Sequence, residues 1–233
     1  MASRIVLVGG GFSMDPDSVL DDYVFGLTGQ ASPRVCFVPT ASGDSEAYIE
    51  RFHTQLDARC RTSVLRLFDR DGTDPGATLR AQDVIYVGGG NTANMLAVWR
   101  VHGVDKVLVE AYRAGVLLCG ISAGMICWFE SSLTDSFGPV RRLPDGLGLI
   151  GGSGCPHYNT EPSRRPTYER EIAAGTLPAG WALDDGAAAL FQDGELVESV
   201  ARTPGTHLYA VSRGPAGKSG RAVETPVPAR LLV

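Results

Sequence analysis

One serine of the sequence lies in a pattern typical of a catalytic nucleophile. Residues 120–124 read Gly-Ile-Ser-Ala-Gly, which places Ser122 between two glycines. The pattern follows the apolar run 116–119 and precedes the apolar segment 125–129. In this strand–turn–helix context, a nucleophile elbow, the serine hydroxyl is exposed at a strand end, and the next N–H, here that of Ala123, can stabilise an oxyanion. We therefore predict that Ser122 is a nucleophile for acyl transfer.

A serine nucleophile needs a general base, and the sequence contains four histidines. His157 follows the glycine-rich segment 146–154, where a loop can project over a sheet, and it is the first candidate. His207, in the C-terminal third of the chain, is the second candidate. His53 lies in a segment with helical spacing, and His102 stands where a helix is predicted to end. We therefore interpret both as helix residues.

The acid that would orient the histidine has several candidates. Asp135 and the pair Asp184 and Asp185 are available, and each could instead form a turn or cap a helix. The order Ser122, Asp185, His207 would fit an esterase of the α/β-hydrolase type, although the chain after Ser122 is short for that fold. A non-catalytic sensor of peptides or amino acids that uses the same pocket is a further alternative.

A second segment that could contact a reacting group is the glycine run at residues 88–92, Gly-Gly-Gly-Asn-Thr. Three glycines between a buried strand and a helix present bare N–H groups, which suit a phosphate or the oxyanion of acyl transfer. Asn91 or Thr92 can cap the helix that follows. The other run, residues 9–11, does not continue into a dinucleotide-binding pattern, so we interpret it as a tight turn, with close approach to a substrate as the alternative.

The elements that would position these residues alternate between strands and helices. Helical spacing of apolar residues predicts helices over 46–59 and 104–114, and another over 17–27 with Asp15 as cap and Pro16 at its first position. Nearly continuous apolar runs, typical of strands buried on both faces, occur at 4–8, 35–38, 64–68, 84–87 and 116–119. This alternation predicts an α/β fold: a mostly parallel sheet with helices on both faces.

The chain changes character after about residue 140. Residues 146–154 are rich in glycine and are predicted to form a loop. Beyond them, short apolar runs are separated by turns such as Asp193-Gly194, which is a hairpin signal. We predict that the C-terminal third supplies antiparallel edge strands to the same sheet and forms no second domain.

Composition excludes several classes of protein. With 233 residues, 44% of them hydrophobic and 20% charged, the chain can bury a full core and is not disordered. Its apolar runs are too short to cross a bilayer, and a net charge of −5 without a basic stripe argues against a nucleic-acid surface. Five cysteines without a C-x-x-C pair argue against a disulfide framework or a zinc ribbon. We expect a cytoplasmic protein with no metal, cofactor, membrane or nucleic-acid partner.

Four segments of the chain carry a resemblance to a known family. They are residues 88–92 (Gly-Gly-Gly-Asn-Thr), 120–124 (Gly-Ile-Ser-Ala-Gly), 156–158 (Pro-His-Tyr) and 183–186 (Leu-Asp-Asp-Gly). Together they resemble the aspartyl dipeptidase (peptidase E) and cyanophycinase family of serine peptidases, which is related in fold to class I glutamine amidotransferases. The resemblance implies a single α/β peptidase domain over residues 1–233, cleavage of dipeptides that begin with aspartate, and no cofactor.

The resemblance also assigns roles around the elbow. It makes Ser122 the nucleophile and His157 the general base, with an oxyanion hole formed by three residues: Gly88, Gly89 and Ala123. The family's acid is described as an aspartate between the serine and the histidine, which matches Asp135, or as a glutamate after the histidine. Asp185 stands at the second position and is shorter than glutamate by one methylene, so both acids stay open.

The resemblance finally implies how an acidic substrate is held. In the family an arginine after the catalytic histidine binds the side-chain carboxylate of the substrate. Arg164, Arg165 and Arg170 are available here, although a solvated helix start also explains them. We take Arg165 and Arg170, with Asn91 of the glycine loop, as the candidate substrate-binding residues. The expected partner is a small peptide, and the expected assembly is a monomer or a homodimer.

Overall fold

The computed structural model describes residues 2–70, 72–214 and 220–232. Strands and helices alternate along the first half of the chain, as the sequence predicts. In this half they are β1 (Arg4–Val8), α1 (Val19–Gly26), β2 (Arg34–Val38), α2 (Glu46–Leu56), β3 (Arg61–Val64), α3 (Pro75–Arg80), β4 (Val84–Val87), α4 (Thr92–His102), α5 (Val104–Arg113), β5 (Leu117–Ile121) and α6 (Ala123–Ile126). The second half contains β6 (Phe129–Thr134), β7 (Arg141–Leu143), β8 (Ile150–Cys155), α7 (Arg164–Ala174), β9 (Gly180–Leu183), β10 (Ala187–Gln192), β11 (Glu195–Ala201), β12 (Leu208–Arg213), β13 (Ala222–Val227) and β14 (Arg230–Leu231).

In the part of the chain that the structure describes, the main sheet has eight strands in the order β14-β11-β10-β1-β5-β4-β2-β3. The five strands from β1 to β3 in this order run parallel, and β10 pairs antiparallel with β1. Along β1, Ile5 and Leu7 belong to one buried cluster, whereas Val6 and Val8 belong to another. Helices α3, α4 and α5 contribute to the first cluster, and α1 and α2 contribute to the second. The predicted fold, a mostly parallel sheet with helices on both faces, is confirmed.

The C-terminal third is divided between two sheets. Strands β10 and β11 extend the main sheet in antiparallel fashion, as predicted. Strands β9, β12 and β13 instead join a second sheet with the order β13-β12-β9-β8-β6-β7, and the prediction that the whole C-terminal third extends the main sheet is therefore wrong. Its strand β8 occupies most of the segment 146–154 that was predicted as a loop. Glycine marks close approach there, because a Cβ on Gly154 would lie 2.5 Å from the Phe129 ring.

Several element boundaries differ from the prediction, and those of β3 and α1 differ in kind. The third strand is β3 and ends at Val64, so that residues 65–68 follow it rather than form it. Helix α1 begins at Val19 with Ser18 at its N-cap position. Asp15 was predicted as the cap, but its Oδ2 instead accepts the Gly11 N–H at 2.8 Å. Within the described residues, no helix is both long and apolar enough to cross a membrane.

A buried carboxyl lies beneath the turn that follows β1. Asp21 of α1 is 1% exposed. Within the described part of the chain, neither its Oδ1 nor the buried hydroxyl of Tyr86 has a hydrogen-bond partner. A Cβ on Gly11 would lie 2.8 Å from Asp21 Oδ1 and 2.7 Å from the Tyr86 hydroxyl oxygen. Burial raises the pKa of Asp21 from 3.8 to about 7. Folding therefore favours the protonated form of this group.

The raised pKa of Asp21 predicts a pH dependence of stability. Between pH 4 and pH 7 the folded protein binds a proton that the unfolded chain has released, so stability falls as the pH rises. The expected loss is roughly 4 kcal/mol of unfolding free energy. Urea unfolding across this range should show stability falling more, or rising less, with pH in the wild type than in Asp21→Asn, which removes this contribution. Asp22→Asn, at an exposed neighbour, should keep the wild-type slope. An unchanged pH profile in Asp21→Asn would contradict this account.

Candidate active site

Ser122 lies on a strained turn between β5 and α6. The backbone of Ser122 has a φ of 55° and a ψ of −113°, a conformation that non-glycine residues rarely adopt. The two flanking glycines allow the turn to pack against β4. A Cβ on Gly124 would lie 2.1 Å from the carbonyl oxygen of Val87, and one on Gly120 would lie 2.6 Å from the same oxygen. The Gly-x-Ser-x-Gly pattern therefore has a steric reason: larger residues at either end would collide with backbone.

His157 is held by Asp185. The Nδ1 atom of His157 lies 2.8 Å from Asp185 Oδ1, and both side chains are 12% exposed. Asp185 is fixed in turn, because Thr160 Oγ1 donates to its Oδ2 at 2.5 Å and its own N–H donates to Asn159 Oδ1 at 2.8 Å. A carboxylate at Nδ1 favours the tautomer with the proton there. The Nε2 atom of His157 is then free to accept a proton.

The structure separates the two candidate acids. Asp135 is 56% exposed, and it is ion-paired to Arg164 at 3.5 Å instead of contacting His157. Arg164 itself is buried and donates to Glu161 and to the carbonyl oxygen of Leu133. Of the two acids that the sequence left open, the structure places Asp185 at His157 and Asp135 at Arg164. The shorter side chain of Asp185 reaches His157 directly, so the missing methylene does not prevent the contact.

The alternative esterase triad is not formed. Both carboxylate oxygens of Asp185 are bound by His157 and Thr160. The backbone N–H of His207 instead donates to the preceding acid, at 3.0 Å from Asp184 Oδ2. Because His207 does not contact Asp185, the order Ser122, Asp185, His207 does not correspond to a triad in space.

Backbone N–H groups line the other side of Ser122. A Cβ on Gly89 would lie 3.2 Å from the Ser122 Cβ, so this glycine borders the elbow closely. Its N–H donates to the Tyr48 hydroxyl at 3.3 Å. Ala123 is the first residue of α6, so its N–H has no partner within the helix. The Gly88 N–H, however, donates to the carbonyl oxygen of Val38 at 3.3 Å. Gly88 was predicted to contribute to the oxyanion hole, and this backbone bond removes it.

Ser122, His157 and Gly89 all line one cavity of about 430 Å³. It is lined by Ser13, Met14, Ala47, Tyr48, Arg51, Gly89, Ile121, Ser122 and His157. The residues from α2 and from the turn after β1 were not predicted. The one sequence signal for the α2 residues was the apolar spacing of that helix. Tyr48 directly precedes the buried residue Ile49, and Arg51 directly precedes the buried residue Phe52. Both therefore border the buried face of the helix.

The predicted substrate-binding residues do not line this cavity. Arg165 is ion-paired to Glu224, with 3.0 Å between Arg165 Nε and Glu224 Oε2, and it stacks on aromatic rings. Arg170 is exposed and pairs with its neighbour Glu171. Asn91 caps α4: its Oδ1 accepts from Asn94 N–H and its Nδ2 donates to Ser136 O. These contacts give all three residues structural roles, and other residues line the cavity beside Ser122.

Comparisons with known proteins agree on the class. Residues 5–199 match peptidase family S51. The chain is 44% identical to YgaJ of Bacillus subtilis (strain 168), an uncharacterized peptidase, over the full length of both proteins. It is 33% identical to peptidase E of Streptomyces coelicolor over 144 residues, which cover 60% of this chain and 57% of that protein. A crystal structure of a peptidase from an acI-B1 Actinobacterium shares the fold, with a TM-score of 0.73, 18% identity, and coverage of 98% of this chain and 95% of that one.

The fold and the comparisons define the class of this protein as a serine-type peptidase. The chain belongs to peptidase family S51. The resemblance that the glycine loop and the elbow indicate in the sequence is thereby confirmed.

Proposed function

We propose that this peptidase hydrolyses short peptides, in particular dipeptides that begin with aspartate, through an acyl-enzyme on Ser122. The observation that carries the proposal is the cavity lined by both Ser122, on its strained turn, and His157, whose Nδ1 is bound by Asp185. The volume of the cavity, about 430 Å³, lies towards the small end of ligand pockets and suits a short peptide.

The proposed reaction begins when His157 Nε2 removes the hydroxyl proton of Ser122 as Oγ attacks the scissile carbonyl carbon. The carbonyl oxygen becomes an oxyanion and accepts hydrogen bonds from the N–H groups of Gly89 and Ala123. The C–N bond then breaks, and His157 gives its proton to the leaving amine. A water molecule, deprotonated by His157, attacks the acyl carbon, and the proton returns to Ser122 as the acid leaves.

The proposed oxyanion hole is partly occupied by the protein itself. The Gly89 N–H donates to the neutral hydroxyl of Tyr48 at 3.3 Å, which is long for a hydrogen bond. An oxyanion is a stronger acceptor than a neutral hydroxyl. We therefore propose that the substrate replaces the Tyr48 contact only as negative charge develops, which is the differential binding that accelerates a reaction.

A cytoplasmic location and a monomeric or homodimeric state are further proposals from the sequence.

A panel of dipeptides tests the proposed function. We expect hydrolysis of Asp-X, and at least about tenfold lower kcat/KM for Asn-X, Glu-X and Ala-X, because a buried contact to a charged group strengthens binding by this order. Product amines are measured against Ser122→Ala protein as the blank. Hydrolysis of Asn-X at the rate of Asp-X would contradict the preference for aspartate. Binding of the dipeptides without any turnover above the blank would fit a sensor instead.

A further inference from the structure

Of the described residues that line the active-site cavity, one has a permanently charged side chain, Arg51. Arg51 lies on α2, one helical turn after Tyr48, and lines the same cavity as Ser122 and His157. No aspartate or glutamate is among the residues that line it. In a chain with a net charge of −5, a cavity with this lining is locally suited to an anion.

Arg51 has no acidic partner in the part of the chain that the structure describes. Its side chain is exposed, and its Nη1 donates to the carbonyl oxygen of Ser13 at 2.7 Å, which connects the guanidinium to the turn after β1. Arginines near this helix differ, since Arg59 is ion-paired to Asp22 and Arg66 to Glu46. A guanidinium carries several N–H donors in a planar fork, and one bond to a carbonyl leaves most of them available. The charge of Arg51 therefore remains available to a ligand.

Further contacts connect Arg51 to the glycine loop. The carbonyl oxygen of Ser13 accepts a hydrogen bond from Arg51. The hydroxyl of Ser13 is hydrogen-bonded to the hydroxyl of Tyr48. Tyr48 in turn accepts the Gly89 N–H. Arg51 therefore belongs to the wall of the cavity that carries Gly89, and a ligand held by Arg51 would be placed against the same wall as the oxyanion.

We propose that Arg51 binds a carboxylate of the peptide substrate and so selects short acidic or free-ended peptides. This inference rests on the proposed function, because it concerns the same cavity. A dipeptide such as Asp-Ala offers this chemistry twice, in the side chain of its first residue and at its C-terminus. Both groups are planar carboxylates that fit the guanidinium fork, and substrates that lack one or the other distinguish them.

The experiment compares Arg51→Gln with Arg113→Gln. Arg113 is exposed in the last turn of α5, which precedes β5, and Ser122 follows the other end of that strand. The control therefore removes the same charge far from the site. The three substrates are Asp-Ala, Asn-Ala and Asp-Ala amide, and kcat/KM is measured for each. Arg51→Gln should lower kcat/KM for Asp-Ala by about 10- to 100-fold, and Arg113→Gln should leave it unchanged.

The other two substrates identify the carboxylate. If Arg51 binds the side chain, Arg51→Gln also impairs Asp-Ala amide but not Asn-Ala. If it binds the C-terminus, Asn-Ala is impaired and Asp-Ala amide is not. Equal losses for all three substrates, or no loss for any, would overturn the proposal. Labelling of Ser122 by a fluorophosphonate at the wild-type rate in Arg51→Gln shows that the elbow is intact.

A binding measurement separates this inference from the proposed function. Titration calorimetry with Asp-Ala is carried out on Ser122→Ala and on the double variant that adds Arg51→Gln. We expect binding to the double variant to be at least about tenfold weaker. If the wild type hydrolyses no dipeptide, the proposed function fails, while this comparison still decides the role of Arg51. Equal affinity of the two proteins, or no binding to either, would overturn the role of Arg51.

Discussion

Ser122→Ala is expected to lower kcat for peptide hydrolysis by at least about 10⁵-fold, which is the order found when the nucleophile of a serine hydrolase is removed. No acyl-enzyme can form without the hydroxyl, and only the binding energy of the cavity and its N–H donors remains. KM should change little, because the hydroxyl contributes mainly to the chemical steps. The measurement is steady-state hydrolysis of Asp-Ala, with enzyme concentrations high enough to detect the residual rate.

Ser13→Ala provides the matched control for that experiment. Ser13 also lines the cavity, and its hydroxyl contacts Tyr48 rather than a histidine. We expect its kcat to stay within about tenfold of the wild type, because it removes one neutral hydrogen bond. Survival of activity in Ser122→Ala would place the nucleophile elsewhere, whatever the loss in Ser13→Ala.

Asp185→Asn is expected to lower kcat by about 10³- to 10⁴-fold. An amide has nearly the same shape as the carboxylate but cannot stabilise the imidazolium that forms during the reaction. It can also present its NH₂ group to His157 Nδ1, which favours the unproductive tautomer. The fold should persist, since the contact of Asn159 with the backbone N–H of residue 185 is kept. Hydrolysis of Asp-Ala and the thermal unfolding midpoint are measured together.

Asp135→Asn is the matched comparison. Asp135 is exposed and pairs with Arg164, so we expect its replacement to leave kcat within about threefold of the wild type. The prediction for Asp185 would be contradicted if the two variants lost activity to the same extent. Retention of activity in Asp185→Asn together with its loss in Asp135→Asn would exchange the two assignments.

The sequence predicts those parts of the fold that depend on short-range pattern. Buried parallel strands appear as apolar runs, and β1 and β4 occupy the predicted residues. The glycines around Ser122 were interpretable because a strained elbow needs them locally. Strand β8 was missed because its glycines are required by contacts with residues distant in sequence. A Cβ on Gly154, for example, would collide with the Phe129 ring. No local pattern in residues 146–154 reports that contact.

The partners in the site were harder to predict than its residue types. His157 was selected by elimination, but its acid lies 28 positions further along the chain, beyond α7 and β9. Gly88 and Gly89 are neighbouring glycines of the same loop, so the sequence does not indicate which of their N–H groups is available to a ligand. Only the pairing of β4 with β2 determines that the Gly88 N–H is bound to Val38 O. Arg51 reaches the cavity because α2 packs beside the turn after β1. This packing joins segments that are distant in sequence, so no local pattern indicates it.

The central claim is that Ser122 is a nucleophile activated by His157, and the most direct test is to map a fluorophosphonate adduct by mass spectrometry. The account predicts one adduct, on Ser122, that forms far more slowly in His157→Ala and at the wild-type rate in His207→Ala. An adduct on another residue, or undiminished labelling of Ser122 in His157→Ala, would contradict it.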